Sequence, residues 1–339
     1  MEIQIESNQE DIHLSSQMAV FFKGVAIIMV IISHIISKCY DASYIANLFG
    51  TGGTSIFLLL SGYGLYSSYK NKGIEIKSFW ESKINKIFIP YILITAIYGG
   101  GVKQELGLNV LIRNIFCIDY ARNIDGTMWY MSFLLLWYIA FFLIFYFNFP
   151  IILKIMGLIT LGYCFREYSN NIFEACAWQF SINAFAFPIG VTLGYCHELR
   201  DVFFSTKRIK IGYRVGIAIT CSVIYIYICA LQSNRFGLLG IILFFSLYNF
   251  IKIICHGKMW LYGLFIGGFS YPMYLSEAKI MDMLSKYVNP KEENILFCVV
   301  FLIFLVIFLI SYNFSGKVYG KYMEWYSAKQ DHIKKAGKE

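Results

Sequence analysis

The stretch QMAVFFKGVAIIMVIISHII, residues 17–36, decides how this chain folds. Its length is enough to cross the roughly 30 Å hydrocarbon core of a bilayer as a helix, and only Lys23 and His34 within it are ionisable. These two residues are separated by about three helical turns plus roughly 20°, and by roughly 16 Å of axial rise. The sequence therefore predicts one membrane helix with both side chains on the same face.

Ionisable groups inside a membrane are costly, so they are functional-site hypotheses by default. Two of them on one face indicate a polar path through a helix bundle. A simpler interpretation is that Lys23 extends its ammonium to the cytoplasmic headgroups, while His34 makes a polar contact between helices. The residues alone leave both interpretations open.

The composition of the whole chain predicts a membrane protein with many spans. Of its 339 residues, 58% are hydrophobic and only 15% are charged, whereas soluble domains contain about 25% charged residues. The net charge of +8 does not indicate nucleic-acid binding, because membrane proteins collect Lys and Arg in their cytoplasmic loops. The nine cysteines include no Cys-x-x-Cys pair, so neither a disulfide framework nor a metal site is predicted.

Apolar runs and turn signals predict an all-α, polytopic integral membrane protein of about ten transmembrane helices. The predicted spans are 18–36, 53–69, 84–101, 128–147, 149–165, 175–196, 211–231, 235–254, 259–278 and 294–314. With the N-terminus in the cytoplasm, 19 Lys and Arg residues fall on the inner side and 9 on the outer side. This bias predicts that both termini are cytoplasmic.

The same pattern predicts a single transmembrane domain, residues 18–314. It is preceded by a cytoplasmic segment, 1–17, without the basic region of a signal peptide. It is followed by a basic cytoplasmic tail, 315–339, whose aromatic and Lys residues are typical of a helix resting on anionic lipid.

Two further segments carry polar residues with two interpretations each. The second span contains Ser61 and Gly62, which can either serve a site or let helices pack closely and hydrogen-bond across their interface. Lys83 and Lys86 are i, i+3 neighbours at the inner boundary of the third span. That pair can bind a diphosphate, or it can be a positive-inside topology signal.

Taken in order, these segments resemble the acyltransferase-3 family of membrane-bound O-acyltransferases. The similarity rests on a basic residue and a histidine in the first span, on Ser-Gly-Tyr at 61–63, and on a basic pair before Ile-x-x-Pro-Tyr. Weaker similarities are MWYMSFLLLWY around Trp129 and GGFSYPMYLSE at 267–277. The resemblance covers nearly the whole chain.

The resemblance implies a multi-pass enzyme of the bacterial inner membrane. Such an enzyme moves an acyl group, often acetyl, from cytoplasmic acyl-CoA to a hydroxyl of an extracytoplasmic glycan, and no cofactor is permanently bound. By this resemblance His34 is the essential histidine, Lys23 is its basic partner, and Lys83 and Lys86 face the donor. The implied partners are membrane lipid, the glycan and acyl-CoA, without nucleic acid.

A hydroxyl is a poor nucleophile near neutral pH, so His34 would act as the general base in this scheme. Ser61, Tyr63 and Trp129 are candidate residues for binding substrate or donor. A carboxylate that orients the imidazole is also expected, and Glu277 is the leading candidate, followed by Asp41 and Asp125.

This chain also departs from the family pattern. Lysines stand at three positions where arginine is more common, and lysine binds phosphate as a point charge without a bidentate fork. Glu277 and Thr127 stand where many members have histidine.

Two other classes of function remain at this stage. A transporter or flippase for a lipid-linked glycan would also line its path with Lys23 and His34, although no inverted repeat is visible. A degenerate family member that acts only as a membrane interaction partner is the third possibility.

Overall fold

The computed structural model describes residues 16–40, 42–103, 107–121, 123–196, 211–230, 239–254 and 257–336. Every regular element in these ranges is helical, as predicted. The helices are α1 Ser16–Cys39, α2 Ser43–Lys72, α3 Ile76–Lys83, α4 Ile89–Gly101, α5 Gly107–Ile115, α6 Trp129–Tyr146, α7 Ile151–Ile172, α8 Ala177–Asn183, α9 Ala186–Tyr195, α10 Ile211–Ala230, α11 Leu239–Ile254, α12 Lys258–Gly268, α13 Ser270–Leu284 and α14 Asn294–Ala336.

Five helices of the described chain are long and apolar enough to cross a membrane. They are Ser16–Cys39, Ser43–Lys72, Ile76–Gly101, Trp129–Tyr146 and Asn294–Phe314. Shorter apolar helices, Arg214–Tyr227 and Ile241–Ile251, lie within α10 and α11. Of the remaining predicted spans, 175–196 is divided into α8 and α9, and 259–278 is divided at Phe269.

The chain forms two compact units, Met1–Ser270 and Tyr271–Glu339. In the first unit α2 is the central helix, since it packs against α1, α8, α9, α10 and α11. The core around it consists of apolar and aromatic side chains, among them Phe22, Ile56, Leu59, Phe244 and Tyr248.

Close helix contacts around α2 depend on glycine. A methyl group on Gly53 would lie 2.6 Å from the carbonyl oxygen of Ala26 on α1. A methyl group on Gly62 would meet the Phe187 carbonyl and would lie 3.1 Å from the backbone nitrogen of Val191 on α9. Small residues permit such backbone approach, which is how helices associate in lipid.

The third predicted span begins earlier than expected. α3 and α4 are joined through a π-helical turn, Ile84–Phe88, and together form one apolar helix, Ile76–Gly101. Pro90 stands at the start of α4. Because proline has no N–H and its ring clashes with the carbonyl four residues earlier, the α-helical pattern is interrupted just before it.

The segment between α4 and α6, predicted as an outer loop, folds back along α4. The Tyr91 hydroxyl donates to the Asn114 carbonyl oxygen at 2.5 Å. Tyr91 lies roughly 15 Å along the helix before its last residue, Gly101, so the segment returns at least that far along α4. α6 likewise begins beside the middle of α2, because the Tyr130 ring makes an edge contact with the Phe57 ring, with centroids 6.2 Å apart. This segment is therefore re-entrant with respect to the helices that flank it.

Candidate active site

Lys23 and His34 lie on one uninterrupted helix, α1, which confirms the helix predicted for this segment. We call the face of α1 that runs from Lys23 to His34 the α1 stripe. Ile27 and Val30 fall within about 40° of the Lys23 direction, and their side chains are 0% and 2% exposed. Lys23 remains exposed and His34 is half-buried. The stripe therefore faces protein along its middle, while the groups at its two ends remain accessible.

Neighbouring helices flank this stripe on both sides. On one side Gly53 of α2 packs against Ala26 and Val30. On the other side Gly24 of α1 is so close to α12 that an added methyl group would lie 2.6 Å from the Gly263 carbonyl oxygen. The stripe therefore lies between α2 and α12.

The C-terminal part of α1, near His34, is held by a buried hydrogen bond. Ser33 donates from Oγ to the Ala46 carbonyl oxygen of α2 at 2.7 Å. This contact holds α1 against α2 one residue before His34, so it restrains the backbone that carries the imidazole.

The three residues of the Ser-Gly-Tyr motif point toward three different helices. Ser61 is a side-chain hydrogen-bond neighbour of both Tyr130 and Tyr138 on α6. Gly62 packs against α9. Because α2 turns by about 100° per residue, Ser61 and Tyr63 lie on different sides of it.

Tyr63 lies on the side of α2 that is connected, through Tyr248, to the N-terminal half of α1. It interacts electrostatically with Tyr248 of α11, which also interacts with the buried Arg214 of α10. The Tyr248 ring stacks on Phe22, the residue before Lys23, with centroids 6.2 Å apart. The sequence does not distinguish Arg214 from the other basic residues at a cytoplasmic boundary.

Trp129 is a buried packing residue at the start of α6. Its ring contacts Tyr130 at the edge and lies 6.4 Å from Phe180 of α8, centroid to centroid. The structure thus places Trp129 in an aromatic cluster, and its predicted role in binding substrate stays a prediction.

Of the predicted donor-binding pair, Lys83 directly precedes the π-helical turn and Lys86 lies within it. Lys83 is half-buried with its Nζ 4.2 Å from the centroid of Phe79, whereas Lys86 is exposed. The two ammonium groups interact electrostatically. A π turn has more residues per turn than an α-helix, so the i, i+3 alignment assumed from the sequence does not describe this pair.

A third lysine, on α7, is buried, which the sequence did not suggest. Lys154 of α7 donates from Nζ to the Tyr69 hydroxyl at 3.0 Å and to the Phe145 carbonyl oxygen at 3.3 Å. The acceptor carbonyl lies in the last turn of α6, where a cation compensates the helix dipole. Lys154 is therefore a helix cap.

The three candidate carboxylates are found in different situations. Glu277 lies on α13 of the second unit with a fully buried side chain. Asp41 is outside the described residues. Asp125 accepts from the backbone nitrogen and the Oγ1 of Thr127, both at 2.8 Å, so it shapes the turn before α6.

A buried polar cluster in the re-entrant segment was also missed. The Asp119 carboxylate accepts from Nδ2 of Asn114 at 2.5 Å, and from the backbone nitrogen and Nδ2 of Asn123 at 3.1 and 3.0 Å. The density of Asn and Asp between two apolar runs was the available signal. Within the described residues, no group of three or more His, Cys, Asp or Glu side chains could hold a metal ion.

A family model described as an acyltransferase domain matches residues 21–315. The chain belongs to the acyltransferase-3 family. No curated protein and no solved structure matches this chain. Together with the apolar helices, family membership makes the protein a membrane acyltransferase.

For this acyltransferase, the matched region includes every candidate site residue named above, from Lys23 to Glu277. In the first unit, Tyr63 and Arg214 both interact with Tyr248, whose ring stacks on Phe22, the residue before Lys23. The structure engages Ser61 with α6 instead.

Proposed function

We propose that this acyltransferase moves an acyl group, in the simplest case acetyl, from cytoplasmic acyl-CoA to a hydroxyl of a cell-surface or cell-wall glycan. The observation that carries the proposal is the α1 stripe, on which Lys23 and His34 remain accessible at the two ends of a sealed middle. Such an arrangement suits a reaction whose two substrates arrive from opposite sides of a membrane.

The proposed topology has ten spans, with both termini in the cytoplasm, in a bacterial inner membrane. Lys23 is then near the inner side and His34 beyond the midplane. Lys83 and Lys86, in the first half of the Ile76–Gly101 helix, would attract the CoA diphosphate as point charges.

The proposed chemistry is acyl transfer from sulfur to oxygen with His34 as the general base. The imidazole takes the proton of the acceptor hydroxyl as its oxygen attacks the thioester carbon. The new C–O bond forms, the C–S bond breaks, and the released CoA thiolate takes up a proton. Lys23, roughly 16 Å away along α1, would instead meet the anionic part of the donor.

The roughly 16 Å between Lys23 and His34 along α1 constrains this chemistry. One small group does not span that distance, so the extended arm of the donor would have to reach along the stripe from Lys23 toward His34. Because Ile27 and Val30 are closely packed, the helices around the middle of the stripe would have to separate to admit that arm.

The deciding experiment measures transfer of radiolabelled acetyl from acetyl-CoA to membrane glycan by purified protein in proteoliposomes. We expect His34→Ala to reduce the rate by about 10²-fold or more, the usual contribution of a general base. Ile35→Ala, at a half-buried position of the same helix outside the stripe, is the matched control and should retain activity.

Two outcomes would contradict the proposal in different ways. Transfer that continues at the wild-type rate in His34→Ala would exclude His34 as the base. If the wild-type protein transferred no label from any acyl-CoA, the transporter or flippase alternative would be favoured.

A further inference from the structure

The half-buried Lys83 ammonium lies over the face of an aromatic ring, which distinguishes it from Lys86. Its Nζ is 4.2 Å from the centroid of the Phe79 ring, a distance at which the negative face of the ring attracts a cation. The Phe79 side chain is 8% exposed, whereas Lys86 is exposed. Of the predicted donor-binding pair, Lys83 is therefore the lysine whose ammonium lies against a buried ring.

The Phe79 ring is itself packed against α6. It lies parallel to the Phe141 ring, with an angle of 6° between the planes and centroids 6.5 Å apart. It also lies 5.4 Å from the Phe142 ring, centroid to centroid, and makes an edge contact with Trp80 at 5.2 Å. A ring that is packed by several others has little freedom to move. Phe79 therefore offers Lys83 a fixed surface.

The π-helical turn decides which way Lys83 faces. In an uninterrupted α-helix, Lys83 would point about 80° away from Tyr91, which is buried at 1% exposure. In the turn, the Ile89 nitrogen donates to the Ile84 carbonyl oxygen, and such an i, i+5 bond encloses one residue more than an α turn does. The extra residue reduces the angle between Lys83 and Tyr91 to about 20° and brings Phe79 to the same protein-facing side.

A positioned cation and an exposed cation act differently on an anionic ligand. A half-buried ammonium is screened less by salt and has less side-chain freedom to lose on binding, so it contributes to affinity. An exposed lysine contributes mainly to the rate of encounter, and salt weakens that contribution. The two lysines should therefore affect donor binding in different ways.

We propose that Phe79 is a positioning residue for the acyl donor. It holds the Lys83 ammonium where a phosphate of the CoA diphosphate binds, while Lys86 attracts the donor from solution. This inference rests on the proposed acyl transfer from acyl-CoA and adds the residue that orders the donor site. An ammonium binds phosphate as a point charge on a flexible stem, so a neighbour has to set its position, and the Phe79 ring is that neighbour.

The test is a double-mutant cycle on the KM for acetyl-CoA, measured by transfer of radiolabelled acetyl in proteoliposomes. Lys83→Gln should raise KM about 10- to 100-fold, since it removes a contact with a charged group. Phe79→Leu, which keeps an apolar side chain, should raise KM about 2- to 30-fold, the range of one cation–π contact, with a much smaller change in kcat. Phe147→Leu, at a ring that contacts Tyr146 and Phe149, is the matched control and should leave KM unchanged.

The cycle separates positioning from packing. In the Lys83→Gln background, Phe79→Leu should raise KM less than about twofold, because the cation that the ring holds is gone. In the Lys86→Gln background, Phe79→Leu should raise KM by the same factor as in wild type. Lys86→Gln alone should raise KM at most about fivefold, and this effect should disappear at about 0.5 M salt.

Two results would overturn the positioning role alone. A Phe79→Leu effect of equal size with and without Lys83 would show that the ring acts through packing. An unchanged KM in Phe79→Leu would show that the ring does not act on donor binding at all. In both cases wild-type protein still transfers label, so the proposed function stands. Wild-type protein that transfers no label from any acyl-CoA would remove the proposed function and this inference together.

Discussion

At the scale of single residues, Ser61 shows how neighbours decide what a side chain can do. Its hydroxyl has one proton to donate and two lone pairs, and two buried tyrosines of α6 are its hydrogen-bond neighbours. The sequence left packing and substrate binding open for this residue. The contacts with Tyr130 and Tyr138 favour the packing role.

Replacing Ser61 with Ala separates these roles. We expect a loss of about 1–3 kcal/mol in stability, because a buried tyrosine hydroxyl loses its partner, while kcat for acyl transfer changes little. Thermal unfolding in detergent and initial rates measure the two effects. A kcat lower by about 10²-fold at unchanged stability would instead identify Ser61 as a donor to the developing oxyanion.

Lys23 has the opposite character, since it is exposed on a helix whose neighbouring residues are buried. If its charge binds the anionic part of the donor, Lys23→Met should lower kcat/KM by about 10- to 100-fold, since a hydrogen bond to a charged group contributes about 1.5–3 kcal/mol. Lys23→Arg, which keeps the charge, should retain most of the activity. Equal activity of Lys23→Met and wild type would favour the interpretation in which Lys23 only reaches the headgroups.

At the scale of helices, glycine sets the distance between α2 and its neighbours. Backbone atoms of α9 occupy the space that a side chain at Gly62 would need, and backbone atoms of α2 do the same for Gly190 of α9. Both contacts involve backbone, so neither can be relieved by rotating a side chain.

The α2–α9 contact provides a stability prediction with an internal control. Gly62→Ala and Gly190→Ala should each destabilise the protein by about 1–3 kcal/mol, as overpacking does. Gly64→Ala, on the same helix with open space around it, should be neutral or stabilise by up to about 1 kcal/mol through helix propensity. Melting temperatures of the three variants measured in one detergent would test this. Equal melting temperatures for Gly62→Ala and Gly64→Ala would contradict the packing argument.

At the scale of the whole molecule, orientation in the membrane governs which substrate meets which residue. The bias of Lys and Arg predicts both termini in the cytoplasm. We expect protease added to intact spheroplasts to spare tags at the N- and C-termini and to cleave a site inserted at the exposed turn 289–293. Cleavage of the C-terminal tag from outside would indicate an odd number of spans and would place the tail on the other side.

The sequence by itself determined the helical class, the family and the α1 stripe. The stripe was predictable because residues in an uninterrupted helix have a set angular spacing, whatever packs around them. That rule does not predict the π turn at Ile84–Phe88, since Pro90 indicates an interruption of the helix without specifying its geometry. Apolar runs also mark membrane segments without any knowledge of their neighbours.

Only the tertiary structure decided which helices meet. Membrane helices are apolar nearly all round, so their sequences do not state which face contacts protein and which contacts lipid. For this reason the burial of Ile27 and Val30, the engagement of Ser61 by α6 and the burial of Lys154 were not predictable. The return of α5 along α4 also depends on long-range contacts such as the one between Tyr91 and Asn114, which no local pattern encodes.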